Sequence, residues 1–226
     1  MPRSCFPRRV RHPLRLLQGT LAAASLCAGG ALAAPIVDPA NDFIASFTGP
    51  KNAELDVLRA DFSYDGTSFH FSSTEAGPIS TTSGALFVWG VDRGAGTARF
   101  GAIAPGVLFD SVIVVNPTAG TATVNRLVGG GSTVLTAGAF QVLGSTLLLD
   151  VPAVLLPSQG FAPTAYTANL WPRSGAGGNE VISDFAPNNS NITVAVVPEP
   201  ATLALVASAL AAMAVRRRSA GVPTPP

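Results

Sequence analysis

A two-residue alternation, interrupted once by a turn, sets the strongest limit on what this chain folds into. Leu58, Ala60, Phe62 and Tyr64 alternate with Arg59, Asp61 and Ser63; Asp65-Gly66 follows, and Phe69 and Phe71 then alternate with Ser68, His70 and Ser72. Residues two apart share one face of an extended chain, and Asp-Gly tolerates the positive backbone angles of a tight turn, so this stretch reads as a hairpin with one buried face. No helical periodicity persists anywhere between residues 34 and 196. Leu86 to Val91 and Val112 to Val115 are unbroken apolar runs of strand length, as expected of strands covered on both faces. Thr121 to Val128, Ala139 to Leu143, Thr146 to Val151, Ala165 to Trp171, Val181 to Phe185 and Ile192 to Val197 complete the set, separated by Gly and Pro at positions such as Gly94, Gly129, Pro157 and Pro172. Many short strands with turn residues between them predict an all-β domain, a β-sandwich or jelly roll.

The two ends are different in kind. Arg3, Arg8, Arg9, Arg11 and Arg15 precede a mostly small and apolar stretch from Leu16 to Ala33, and Ala31-Leu32-Ala33 fits the A-x-A pattern of a secretory cleavage site. Cleavage is expected after Ala33. Arg8-Arg9 offers a twin-arginine reading, against which Pro13 and the missing downstream consensus stand. Cys27 follows Leu26, where a lipoprotein site takes a small residue. Both cysteines, Cys5 and Cys27, lie in this leader, so the exported domain has no disulfide to draw on. Eight of the 14 basic residues lie before Ala33 or after Val215, leaving six against 13 acidic residues and a net charge of −7 between them. A surface of that sign does not bind nucleic acid through its phosphates; it favours cations or simple solubility.

At the other end, Pro198, Glu199 and Pro200 precede an uncharged run from Ala201 to Val215, then Arg216, Arg217 and Arg218. As a helix, the run would reach about 22 Å at ~1.5 Å per residue, short of the ~30 Å hydrocarbon core, which suits a transient membrane stop. The arginines hold its C-terminal side in the cytoplasm by the positive-inside rule, and the prolines keep the preceding box extended. This order resembles the PEP-CTERM sorting signal of Gram-negative bacteria, processed by a membrane-embedded, transpeptidase-like exosortase. The resemblance implies an exosortase as partner, transient insertion in the inner membrane, delivery to the cell surface or extracellular matrix, and association with exopolysaccharide or biofilm. The expected organisation is a signal peptide (1–33), a sandwich domain (34–187), a linker (188–196) and the sorting signal (197–226).

Chemistry is sparse. His70 is the single histidine of the exported domain, on the polar face of its strand, and no thiol, G-x-S-x-G elbow or histidine metal motif is present. Asp92 and Asp110, at strand ends, are the carboxylate pair to consider for glycoside hydrolysis. Arg93-Gly94-Ala95-Gly96-Thr97 lacks the lysine and helix of a phosphate loop and reads as a hairpin connection. Asp38, Asn41 and Asp42 gather oxygen ligands of the kind a hard cation takes, with calcium as the candidate cofactor and Asp56 or Asp184 completing the set if the termini meet. For a sugar, Trp171 with nearby Tyr166 is the candidate stacking surface, whereas Trp89 belongs to the core. The acidic start at Asp38, Asn41 and Asp42, together with Leu55-Asp56-Val57, Tyr64-Asp65-Gly66, Phe87 to Asp92 and Ser183 to Pro187, is similar to DOMON-like extracellular sandwiches and type 9 carbohydrate-binding modules. That likeness implies a β-sandwich binding a sugar or a structural calcium ion. Three readings result: a non-enzymatic matrix protein, a carbohydrate-binding module, and a carboxylate-dependent polysaccharide hydrolase.

Overall fold

The computed structural model describes residues 35–197 and Ser208; the readings on Ala31, Ala33, Pro198, Glu199, Pro200, Arg216, Arg217 and Arg218 lie outside these residues. In chain order the strands are β1 (Ile36–Val37), β2 (Val57–Tyr64), β3 (Ser68–Glu75), β4 (Leu86–Asp92), β5 (Thr97–Ala98), β6 (Leu108–Phe109) and β7 (Ser111–Asn116). They continue with β8 (Thr121–Arg126), β9 (Ser132–Val134), β10 (Phe140–Leu143), β11 (Thr146–Pro152), β12 (Thr167–Arg173), β13 (Ile192–Thr193) and β14 (Ala195–Val196). Among the described residues no helix is long and apolar enough to cross a membrane.

Two six-stranded sheets carry the architecture. The first runs β1-β2-β3-β11-β10, with β14 also on β2; the second runs β13-β12-β4-β7-β8-β9, and β5 and β6 form a separate ribbon. Pairing is antiparallel throughout except for β14 on β2. The expected hairpin forms with Tyr64 opposite Phe69 and Phe62 opposite Phe71, turning at Gly66 with φ +99°.

Side chains from the two inner faces share one core. Phe62, Phe69 and Phe71 of the first sheet meet Trp89 of the second and Tyr166 at the entry to β12: Phe71 to Trp89 is 5.1 Å between ring centroids and Phe69 to Tyr166 is 5.2 Å. These spacings are those of favourable aromatic pairs. The two sheets therefore form a β-sandwich.

The second sheet is also covered on its outer side. Val88 and Trp171 point there and pack with Phe100, Phe109, Ile182 and Phe185 from the connecting segments. Trp171 packs against Gly90, where an added Cβ would run into its ring. Covering on both faces is the reason Leu86 to Val91 reads as an unbroken apolar run.

Three expectations are corrected. Val181 to Phe185 is not a strand: a 3-10 turn at Asn179–Val181 leads into single bridges of Arg173 with Ile182 and Leu170 with Ala186. Its apolar residues serve the outer core rather than a ladder. Pro172, expected as a breaker, lies within β12, where its carbonyl accepts from the backbone N–H of Ser183 (3.1 Å) and from its hydroxyl (3.0 Å). Residues 188–196, expected as a linker, belong to the domain: Ile192 pairs with Ala168 on the second sheet and Ala195 with Ser63 on the first. Between them Val194 is buried and donates its N–H to the Tyr166 carbonyl.

Truncating the rings that join the sheets removes contacts the rigid core cannot refill. Phe71→Ala or Trp89→Ala is expected to lower stability by about 3–5 kcal/mol, measured from urea unfolding midpoints. Phe161→Ala, at a 40%-exposed ring, should stay within about 0.5 kcal/mol.

Candidate functional site

The segment after β1 runs beside the β12–β13 connection, fastened by Ile44 N–H to Ser183 O (2.9 Å) and Thr48 N–H to Glu180 O (2.9 Å). That placement gathers acids far apart in sequence. Asp38, Asp42 and Asp184 each present a carboxylate oxygen, and the three oxygens lie within 4.8 Å of one another. Asp56, at the entry to β2, lies beside them and accepts the Asn41 backbone N–H on both oxygens at 2.9 Å. Asn41 thus contributes its main chain, held at φ 64°, in the left-handed region that Asn tolerates better than most residues.

The hydrogen bonding of the cluster is incomplete. Asp184 accepts from Val57 N–H (2.9 Å) and Phe185 N–H (2.7 Å), and Asp42 accepts from the Asn188 amide (2.9 Å). Asp38 Oδ2 and Asp42 Oδ1 are buried without a partner. The remaining buried acids of this end differ: Glu54 is taken up by Thr81 and Thr82, and Glu75 accepts from Ser73 at 2.6 Å while its other oxygen stays unpartnered.

Crowding of acids out of water disfavours their charged forms. Burial, then the charges of Asp42 and Asp56, pushes Asp38 up to about 7. Burial raises Asp184 to about 8, with Asp38 and Asp42 adding to the rise and the Val57 N–H opposing it. Asp56 is raised by burial against the opposing Asn41 N–H, and burial holds Glu75 well above the usual carboxylate range. None of the ion pairs among the described residues reaches this cluster. What it lacks is positive charge.

The other candidate residues are placed differently. Trp171 and Tyr166 are 2% and 0% exposed, so neither offers a face to a sugar. Trp171 belongs to the outer core, and Tyr166 stacks on Phe69 with its hydroxyl donating to the Leu156 carbonyl at 3.0 Å. A strand-end aromatic signals exposure only when nothing folds over it, and here the segments around Phe100 and Phe185 do so.

Asp92 and Asp110 are structural. Asp92 accepts the N–H groups of Gly94 and Gly96, closing the turn. Asp110, fully buried, pairs with the equally buried Arg93 at 2.6 Å and accepts the N–H groups of Arg93 and Ala95. The Arg93 guanidinium reaches on to the carbonyls of Pro157 and Val128. Asp110 is therefore engaged through both oxygens and Asp92 through Oδ1.

His70 does lie on the outer face of the first sheet, but in company: Nδ1 is 2.6 Å from Asp150 and Nε2 is 3.0 Å from Asp65. The Asp150 partner comes from β11, which a period-two pattern cannot reveal. Partial burial opposes its charge, yet the hydrogen bonds and charges of Asp150 and Asp65 together raise its pKa. The N–H groups of Ser68 and Thr67, then His70, hold Asp65 well below the usual carboxylate range. Glu75 had a legible signal that was missed: it continues the inward alternation of Phe69, Phe71 and Ser73.

Against known proteins, the chain matches the PEP-CTERM protein-sorting motif over residues 196–218. It matches no curated protein. The motif marks the chain for processing by an exosortase and for export to the cell surface or extracellular space.

Two outcomes check these placements. Arg93→Met strands a buried carboxylate and should cost about 3–5 kcal/mol in denaturant unfolding. For the His70 array the sign is opposite for the two shifts: a raised histidine pKa stabilises at low pH and loses that effect as pH rises through it, whereas a lowered Asp65 pKa stabilises above the usual carboxylate range. The stability difference between wild type and His70→Gln should be largest near pH 5.5 and vanish near pH 9. Its size should be roughly 0.2–1 kcal/mol, since the groups are half-exposed and screened.

Proposed function

We propose that this exosortase-sorted chain is a non-enzymatic protein of the cell surface or extracellular matrix, its sandwich serving a structural or adhesive role among secreted polysaccharide. The observation that supports it best is where the sorting motif meets the fold. The matched residues begin at Val196, inside β14, and Val197 donates its N–H to Tyr64 O at 2.9 Å. The Pro-Glu-Pro box thus starts one residue beyond a hydrogen bond to the first sheet, the last among the described residues, so the folded sandwich is carried as a unit by the signal.

The structural employment of Asp92 and Asp110 favours this reading over hydrolysis, and the burial of Trp171 and Tyr166 favours it over a sugar platform at those residues. Transient insertion of the run from Ala201 to Val215 in the inner membrane, with Arg216 to Arg218 on the cytoplasmic side, is part of the same proposal.

Epitope-tagged full-length protein tests it by fractionation. Wild type should appear shortened and co-fractionate with secreted polysaccharide, while Glu199→Gln or deletion of residues 216–218 should leave full-length precursor in the inner membrane. Normal processing of both variants would remove the exosortase step; processed protein recovered free of polysaccharide would remove the matrix role.

A further inference from the structure

We propose that Asp38, Asp42 and Asp184 form a binding site for one divalent cation of the calcium class. The proposal stands on geometry and on unmet hydrogen bonding, independently of how the chain is sorted. Calcium takes 6–8 oxygen ligands at 2.3–2.6 Å, so oxygens sharing one ion lie within about 5 Å of each other. The three carboxylate oxygens here lie within 4.8 Å of one another. Asp38 is 6% exposed and its Oδ2 has no partner, and Asp42 Oδ1 is likewise buried and unpartnered. A buried polar atom left unpaired is costly, and a buried carboxylate more so. The orphaned oxygens belong to two of the three clustered acids, and an ion held among these carboxylates supplies the counter-charge that relieves their repulsion.

Nearby groups hold the ligands in place. Val57 N–H and Phe185 N–H occupy both oxygens of Asp184, and the Asn188 amide binds the Asp42 oxygen that is not orphaned. A carboxylate oxygen has lone pairs to accept an N–H and still face a cation. Asp56, through the Asn41 N–H, fixes the tight bend between Asp38 and Asp42. All three ligands are oxygen donors, and no nitrogen or sulfur ligand belongs to the group, which points away from zinc and copper. Magnesium demands near-ideal octahedral geometry and retains its waters, a poorer match to carboxylates already held by main-chain hydrogen bonds.

The structural consequence is a clasp. Asp38 and Asp42 belong to the segment after β1, Asp184 to the connection between β12 and β13, and the two lie side by side at the start of β2. An ion here ties the segment after β1 to the β12–β13 connection, a cross-link between parts of the chain far apart in sequence.

The test uses full-length protein stripped with EDTA and exchanged into chelator-free buffer. Calcium at about a hundredfold its dissociation constant should raise the melting temperature by about 5–10 °C, saturably, with magnesium weaker. Calorimetry should give one ion per chain. Asp38→Asn and Asp42→Asn should each reduce calcium affinity at least tenfold, while Asp61→Asn, a partly exposed acid outside the cluster and paired with Arg59, should not. If the Asp38 variant fails to fold, the calorimetric stoichiometry of wild type and the Asp42 variant still decide. No melting shift and no heat of binding with millimolar calcium or magnesium would overturn the site, and binding unchanged in both variants would overturn its location.

Discussion

The rest of the structure depends on the contact of two aromatic-lined sheets. Phe71 against Trp89 and Phe69 against Tyr166 join the inner faces, and burying such rings is the largest favourable contribution a domain of this size has. With no cysteine in the sandwich, no covalent link shares that task. A second, smaller core around Trp171, Phe100 and Phe185 covers the outer face of the second sheet. The connecting segments are therefore packed structure and not loose loops, and their polar turns are secured by buried acids: Asp92 closes the turn at Gly94 and Gly96, and the Arg93–Asp110 pair ties four connections together.

Burial of charge divides this protein into two regimes. At Asp110 the carboxylate meets a guanidinium and several N–H groups, and nothing remains unsatisfied. At Asp38 and Asp42 the packing brings like charges together and leaves oxygens without donors. A buried salt bridge is at best weak evidence of stability, but a buried cluster of acids without a counter-charge is evidence of something missing, either protons or a cation. The raised pKa values of Asp38 and Asp184 are the protonic answer to that problem.

How much of this was legible depends on whether the signal was local. The hairpin from Leu58 to Ser72 was, because alternation and an Asp-Gly turn are properties of neighbouring residues. The double-sided burial of β4 was too, since an unbroken apolar run needs only one strand to be visible. Asp38 and Asp42 were recognisable as a group because they are four residues apart; the joining of Asp184 to them was stated only as conditional on the ends meeting. Whether Tyr166 and Trp171 are exposed was not legible for the same reason in reverse: it depends on what covers each ring, and the rings and side chains that do so include Phe69 and Val88, far away in the chain.

By itself, the sequence determined the all-β class, most strand positions, the lack of cysteine in the sandwich, and the sorting motif, because each is carried by residue order and local pattern. Only the tertiary structure decided that residues 192–196 divide between the two sheets, that Val181 to Phe185 packs as cover and not as a strand, and that three acids from opposite ends of the domain form one cluster. The physical reason is common to all three. Apolar runs state that a segment is buried and acids state that it bears charge, but which partner each meets is set by the long-range pairing of β-strands, and that pairing is not written in any one stretch of the chain.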